Sequence, residues 1–515
     1  MEKNQPFNIS GWCIIRFFVF SLALVLVSDV PNNWGGLYNS ACVIVGFLLF
    51  AVLVLPVRPA LILLLLLAVA GKDIISSGAM DMYSTASIWH MQLGPIRPSW
   101  IMFGCLLLQF LKFQKISVPL LIKLAILWCL TVPIVTGMIY GGIFADYASI
   151  EAVTDLKIFL MLLPSTILFL SLYRRDKRNL PLVLSAFVGV LLARHLIDLV
   201  YFVANLGPVI AEGVSRASED SAKGCIVFLV FFGVTMIWAH KRVLLGSTIS
   251  ILSVLLLVAY GTRMLWITFV LGCFILLFVL GFRRSVFFIF IVTLLTIAGG
   301  GALFIVHPES AKIVYSRFAT ITEGRPVHTF SVPVEDNLIS RIDPVRYGEV
   351  LNIFDSTTSR YTYLWGTGYG GFYEDSAVDF PDSLIDGSAF ANYSLETGKF
   401  YRAHFFPVHI FLKYGLVGLL CISALWIIPG YAVFKILHNK KSFASDQPKM
   451  LHSTMLSLLL FLATGMFQLY WSGKGLFVNG IIIASFIVFS SRYSVSVVER
   501  EGYVARTKLL GGKTF

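Results

Sequence analysis

The sequence predicts an all-α polytopic membrane protein with about fourteen transmembrane helices (about 12–14) and one large extracytoplasmic loop. Three observations carry that expectation. Hydrophobic residues make up 57% of the chain and charged ones 13%, where a soluble domain is roughly half apolar and a quarter charged. The apolar residues fall in long blocks, such as ALILLLLLAVAG (60–71), VFFIFIVTLLTIAGGGALFIV (286–306) and GIIIASFIVF (480–489). A helix needs about 20 such residues to cross roughly 30 Å of hydrocarbon. Finally, basic residues cluster in the short connections, and one polar segment, 307–403, is far longer than an ordinary loop.

In order, the blocks predict spans near 13–31, 37–57, 59–78, 97–112, 117–143, 156–173, 180–204, 224–240, 243–261, 264–282, 285–306, 406–434, 452–471 and 475–490. The start, MEKNQPFNISGW, has no strongly basic region and no small-residue cleavage site, so the first block reads as a retained span. With strict alternation, Arg58, the Lys112/Lys115 pair, RRDKRN (174–179), HKR (240–242), Arg283–Arg284, Lys440–Lys441 and the tail from Arg492 all fall on one side. The positive-inside rule makes that side cytoplasmic, with both termini there. The chain then divides into a core of about eleven spans (1–306), an outward loop (307–403), three further spans (404–490) and a cytoplasmic tail (491–515).

The net charge of +12 is accounted for by these connections, and nucleic acid is not an expected partner. The seven cysteines lie in or beside apolar blocks without metal-ligand spacing, as small core residues do. The outward loop is rich in aromatics and mixed in charge, which argues for order. Its GTGYGGF run follows no strand of a βαβ unit, so it is not read as a dinucleotide loop.

Where the loop meets the next span stands RAHFFPVHIFLKYGLVGLL (402–420), with Arg402, His404, His409, Gly415 and Gly418. Pro407 suits a first helical turn. On a continuous helix Gly415 and Gly418 lie within about 20° and 40° of His404, while His409 points roughly 140° away. Small residues on one face let helices pack closely, so Gly415 and Gly418 are read as helix-packing positions and His404 is favoured over His409 for a site.

The spacing of His404, Gly415 and Gly418 resembles the signature of the bacterial O-antigen ligase and O-antigen polymerase family, a histidine, a polar neighbour, nine residues and G-x-x-G; here Phe405 fills the polar position. YGTRMLWITFVLG (260–272) is similar to the family's arginine-led start of a span, with Arg263 at the arginine. SRIDPVRYGEVLNIF (340–354) followed by LWGTGYGGF (364–372) resembles its loop pattern of arginine, short helix and G-x-G-x-G-x-F, placing Arg341, Gly366, Gly368, Gly370 and Phe372. The resemblance covers about residues 250–430.

The resemblance implies a glycosyltransferase without a metal or other cofactor. Such an enzyme moves a glycan from a polyprenyl-pyrophosphate carrier to a glycan acceptor at the outer membrane face. A flippase and a chain-length regulator are expected nearby. Arginine offers a permanent planar fork for pyrophosphate, which suits Arg263 and Arg341, and histidine a base near neutrality, which suits His404. Arg346, Arg402, Gly366, Gly368 and Gly370 are the expected substrate-binding residues.

Polymerase is favoured over ligation to a lipid A core, since the loop could hold a growing chain. Two other readings stay open. Loop acids such as Asp343, Glu349, Asp375 and Asp379 could serve a carboxylate-and-metal mechanism, and the intramembrane Arg194, His195 and Asp198 suit a secondary transporter. An i, i+4 Arg194–Asp198 pair would make that burial tolerable.

Overall fold

The computed structural model describes residues 9–30, 34–72, 98–111, 120–141, 149–176, 178–204, 209–210, 214–215, 224–238, 241–260, 263–280, 282–306, 308, 311–312, 344–380, 394, 397–403, 405–438, 475–485 and 487–488. They are mostly helical. The helices are α1 (Gly11–Ser28), α2 (Gly36–Val54), α3 (Val57–Ala70), α4 (Pro98–Leu111), α5 (Leu120–Thr136, continued by a wider turn to Gly141), α6 (Ser149–Arg175) and α7 (Asn179–Val203). After them come α8 (Ile226–Trp238), α9 (Val243–Tyr260), α10 (Arg263–Leu280), α11 (Phe282–Val306), α12 (Pro344–Ser359), α13 (Phe406–His438) and α14 (Gly475–Ser485). Two short antiparallel pairs complete the list, β1 (Val209–Ile210) with β2 (Val214–Ser215), and β3 (Tyr373–Glu374) with β4 (Lys399–Phe400).

Seven helices are long and apolar enough to cross a membrane: Gly11–Ser28, Gly36–Val54, Ile122–Gly141, Asn179–Val203, Val243–Tyr260, Ser285–Val306 and Phe406–Ala424. Shorter apolar helices match further expected blocks, and the expected span 452–471 lies outside the described residues. On α11, Phe287, Phe290 and Ile297 are exposed. Apolar side chains pointing outward along a whole helix are what a hydrocarbon surround permits and water opposes.

Small residues set the tightest crossings. A side chain at Gly189 of α7 would come within 2.8 Å of Phe17 and Phe18 on α1, and one at Gly233 of α8 within 2.6 Å of the Gly246 carbonyl on α9. Helix association within lipid relies on such close approach, because hydrocarbon gives apolar helices no reason to leave it. Several hydroxyls inside the helices satisfy themselves locally. Thr136, Thr166, Thr235 and Ser253 each donate to the carbonyl four residues back.

The described part of the long polar segment folds as a small unit against α13. Ile353 of α12, Tyr373, Phe380, Phe400, Ala403 and Leu412 share one core. Asn352 holds the chain at Val378 from both sides, donating to its carbonyl and accepting its N–H at 2.8 and 2.7 Å. The rest of 307–403, including 313–343, lies outside the described residues.

A continuous α13 was expected, and the structure corrects this. Gly415 has φ 66° and ψ −169°, which divides α13 into a first part, 406–414, and a second, 416–438. Angular arithmetic therefore does not carry from 404, which precedes the helix, across the break to Gly418.

Candidate functional site

The break at Gly415 frees backbone groups on both sides, and buried polar groups need partners. Four of these groups find them in one segment, residues 363–368. The N–H groups of Leu416 and Val417 donate to the carbonyls of Tyr363 (2.8 Å) and Leu364 (3.3 Å). The Leu412 carbonyl accepts from the Thr367 N–H and hydroxyl, at 2.7 and 2.9 Å, and the Lys413 carbonyl from the Gly368 N–H at 3.1 Å. Trp128 of α5 donates its indole N–H to the Tyr414 carbonyl at 3.2 Å.

The same segment repairs a second defect. Pro133 has no N–H, so the Cys129 carbonyl one turn earlier in α5 loses its helical donor. The Tyr369 hydroxyl donates to that carbonyl, and the Tyr369 N–H reaches the Pro133 carbonyl at 3.4 Å. The glycine-rich run is thus wedged between two interrupted helices, α5 and α13.

Glycine is needed there for space and for backbone shape. Gly366, Gly368 and Gly370 have φ of 81°, 80° and 75°, a region glycine enters freely. A Cβ at Gly366 would lie 2.4 Å from the Lys413 carbonyl carbon, and one at Gly368 would lie 2.6 Å from the Gly137 nitrogen. These glycines were expected to contact substrate. At 366 and 368 the space a side chain would take is filled by the chain's own helices.

Two ion pairs lock the junction. On α6, Glu151 and Asp155 stand one turn apart. Asp155 meets Lys413 at 2.6 Å, both fully buried, and Glu151 meets Arg402 at 2.9 Å, both half-buried. The Asp155 carboxylate also accepts the Gly370 N–H at 2.9 Å, and the Lys413 ammonium donates to the Gly371 carbonyl at 2.6 Å. His409 is 1% exposed and lies within the field of Lys413 and Arg402. Tyr369 is buried beside them, and that burial pushes its phenol pKa up.

The expected site residues distribute as follows. His404 and Arg341 lie outside the described residues, and of Arg263, which opens α10, only the backbone is described. Arg402 is held by Glu151, and Arg346 is half-buried on α12. Gly366, Gly368, Gly370, Gly415 and Gly418 come together at the junction. A Cβ added at Gly415 would lie 2.3 Å from the Leu364 carbonyl carbon, so this glycine admits the loop backbone instead of a neighbouring helix, and one added at Gly418 would meet the Trp128 ring of α5. The loop motif at 364–372 and the α13 motif at 415–418 are therefore in direct backbone contact.

Sequence reasoning missed Asp155, Glu151 and Lys413. The signal was present for Lys413, a lone charge in HIFLKYGL, since charge inside an apolar block demands a partner; Asp155 shares VTDLKIF with Lys157 and was less conspicuous.

A second polar cluster lies among α1, α3, α7 and α9. Fully buried Arg194 forks onto Asp29 at 2.8 and 2.7 Å, reaches Asp198 at 2.6 Å and donates to the Ala70 carbonyl at 3.1 Å. Lys72 stands 3.8 Å from Asp29 and 3.9 Å from Asp198. Two cations thus balance two anions. Tyr260 donates to Asp198 at 3.4 Å and shares a 2.6 Å hydrogen bond with His195. Tyr260 opens the motif that holds Arg263, so the cluster ties that motif to α7.

No family model matches the chain, and no curated protein matches it.

Proposed function

We propose that the protein is a membrane glycosyltransferase that transfers glycans from a polyprenyl-pyrophosphate carrier to an acceptor glycan at the outer face of a bacterial cytoplasmic membrane. The observation that carries this reading is the contact between two of its three ordered motifs. Residues 364–372 and 415–418, separate in sequence, share one hydrogen-bonded junction beside Arg402. A junction held by backbone hydrogen bonds fixes the groups beside it, and the Arg402 guanidinium, paired at 2.9 Å with Glu151, is a planar donor of the kind a pyrophosphate leaving group needs.

In this reading Arg263 and Arg341 hold the pyrophosphate, with Arg346 and Arg402 assisting. His404 is the base that takes the acceptor hydroxyl proton as the sugar–phosphate bond breaks and the new glycosidic bond forms. The span count of about fourteen, the outward placement of 307–403 and inward termini belong to the same proposal. Polymerisation is favoured over ligation to a lipid A core because the outward segment is long enough to hold a growing chain.

The Arg194 cluster favours a second reading, a secondary transporter, since intramembrane charge often marks ion or solute paths. Its balanced charges and complete ion pairing suit a static brace equally well. Deleting the gene and measuring surface-glycan chain length against uptake of labelled solutes separates the two. Loss of long glycan with normal uptake supports transfer; normal glycan with lost uptake overturns it.

A further inference from the structure

The depth of the junction follows from the second part of α13. From Leu416 to Phe434 the sequence carries no charge, and Lys435 ends the run. That stretch is about 30 Å long at roughly 1.5 Å per residue, the thickness of a bilayer's hydrocarbon. If Lys435 marks one boundary, Gly415 marks the other, and Lys413 lies just beyond it.

Residues 363 and 364 are fixed to that boundary, because their carbonyls cap Leu416 and Val417. The strip they belong to is YTYLW (361–365), in which Tyr361, Tyr363, Leu364 and Trp365 are all exposed. A loop at a water-facing surface gains nothing from four exposed apolar or aromatic side chains in five residues. Tyr361 makes the point twice: it is 76% exposed and sits at φ 56°. A bulky residue is unusual in that backbone region, which glycine enters freely.

The apolar surface continues onto the neighbouring helix. Met138 and Ile139, in the wider turn that ends α5, are exposed at 72% and 45%, and Tyr140 next to them donates its hydroxyl to the Arg360 carbonyl at 2.9 Å. The strip is therefore continuous with the lipid-facing end of a spanning helix. Tyr and Trp are the residues that settle at headgroup level, ring in the apolar edge and polar tip in water.

We infer that the strip 361–365 is a membrane-interface foot, inserted into the headgroup layer of the leaflet at the Gly415 end of α13, and that its partner is the bilayer itself. The foot holds the folded loop unit at a fixed height above the membrane through α12 on one side and the glycine run on the other. The inference does not depend on the proposed catalytic activity.

The test uses the full chain in lipid nanodiscs of phosphatidylcholine and phosphatidylglycerol. Spin labels are placed singly at Tyr361→Cys, Leu364→Cys and, as a control on the loop unit, Ser376→Cys, with the seven native cysteines replaced. Collision with oxygen, which concentrates in the bilayer, is compared with collision with a water-soluble nickel chelate. The ratio should shift toward oxygen at 361 and 364 and toward nickel at 376. Equal nickel access at all three sites overturns the inference. The unsubstituted chain gives an independent readout in nanodiscs doped with a phospholipid carrying a diazirine near its headgroup. Photolabel on the peptide holding 361–365 supports the foot, and label confined to the helices overturns it.

Discussion

Lys413→Met should destabilise the fold more than any surface substitution, and the structure gives the scale. The Lys413 ammonium and Asp155 carboxylate meet at 2.6 Å with neither exposed to solvent. Removing the lysine leaves a buried carboxylate whose remaining described donor is the Gly370 N–H, at 2.9 Å. Breaking one side of a buried pair costs about 3–5 kcal/mol, because the surviving charge keeps its desolvation penalty and loses its counter-charge. The double variant Asp155→Asn/Lys413→Met removes both charges while the asparagine oxygen still accepts from Gly370. Its remaining defect is the Gly371 carbonyl without its lysine donor, worth about 1–3 kcal/mol. The double variant should therefore be more stable than Lys413→Met alone. The assay is thermal loss of the monodisperse peak in detergent, read as rank order because membrane proteins seldom unfold reversibly. A double variant that melts below Lys413→Met would refute the claim that the pair is coupled, and wild-type melting of Lys413→Met would refute its burial.

Other expectations follow from the same contacts. Gly366→Ala and Gly415→Ala should each lower the melting midpoint, since the added carbon falls 2.4 and 2.3 Å from backbone at positive φ; overpacking of about 1–3 kcal/mol adds to roughly 1–2 for left-handed backbone. Gly36→Ala, with nothing within 4 Å, is the control and should be silent. Arg194→Leu should cost about 3–5 kcal/mol by leaving Asp29 and Asp198 with Lys72 as their described counter-charge, read as lost expression and a lower melting midpoint. Cysteine labelling of intact cells should reach positions within 320–400, and reach 176 and 440 only after permeabilisation; labelling of 320–400 from the cytoplasm alone would invert the topology.

The helices were legible because hydropathy is a property of contiguous residues: the blocks at 60–71 and 286–306 fall on α3 and α11. The Arg194–Asp198 pair was legible too, because i, i+4 spacing is local. Asp29 and Lys72 complete that cluster from other helices, and no local pattern points to them. Gly415 was misjudged for a physical reason. A glycine in an apolar run reads as a packing residue, and the break becomes visible only when the carbonyls of Tyr363 and Leu364 take the freed N–H groups. The Pro133 defect and its repair by Tyr369 are of the same kind, each half of the pair being unremarkable until the other lies beside it. His409 was set aside on helical angle, yet it lies buried close to Lys413.

The most direct test of the proposed function is transfer by the purified chain in a lipid bilayer, supplied with a polyprenyl-pyrophosphate-linked oligosaccharide and an acceptor glycan. Released polyprenyl pyrophosphate and product length are measured together, with and without chelator. The account predicts lengthened glycan and released carrier that persist in chelator. Activity should be lost in Arg263→Ala and partly recovered in Arg263→Lys, which keeps charge without the fork. It should fall by about 10²-fold or more in folded His404→Ala, the scale of general base catalysis. Full activity in His404→Ala and Arg263→Ala, or its abolition by chelator, would contradict the account.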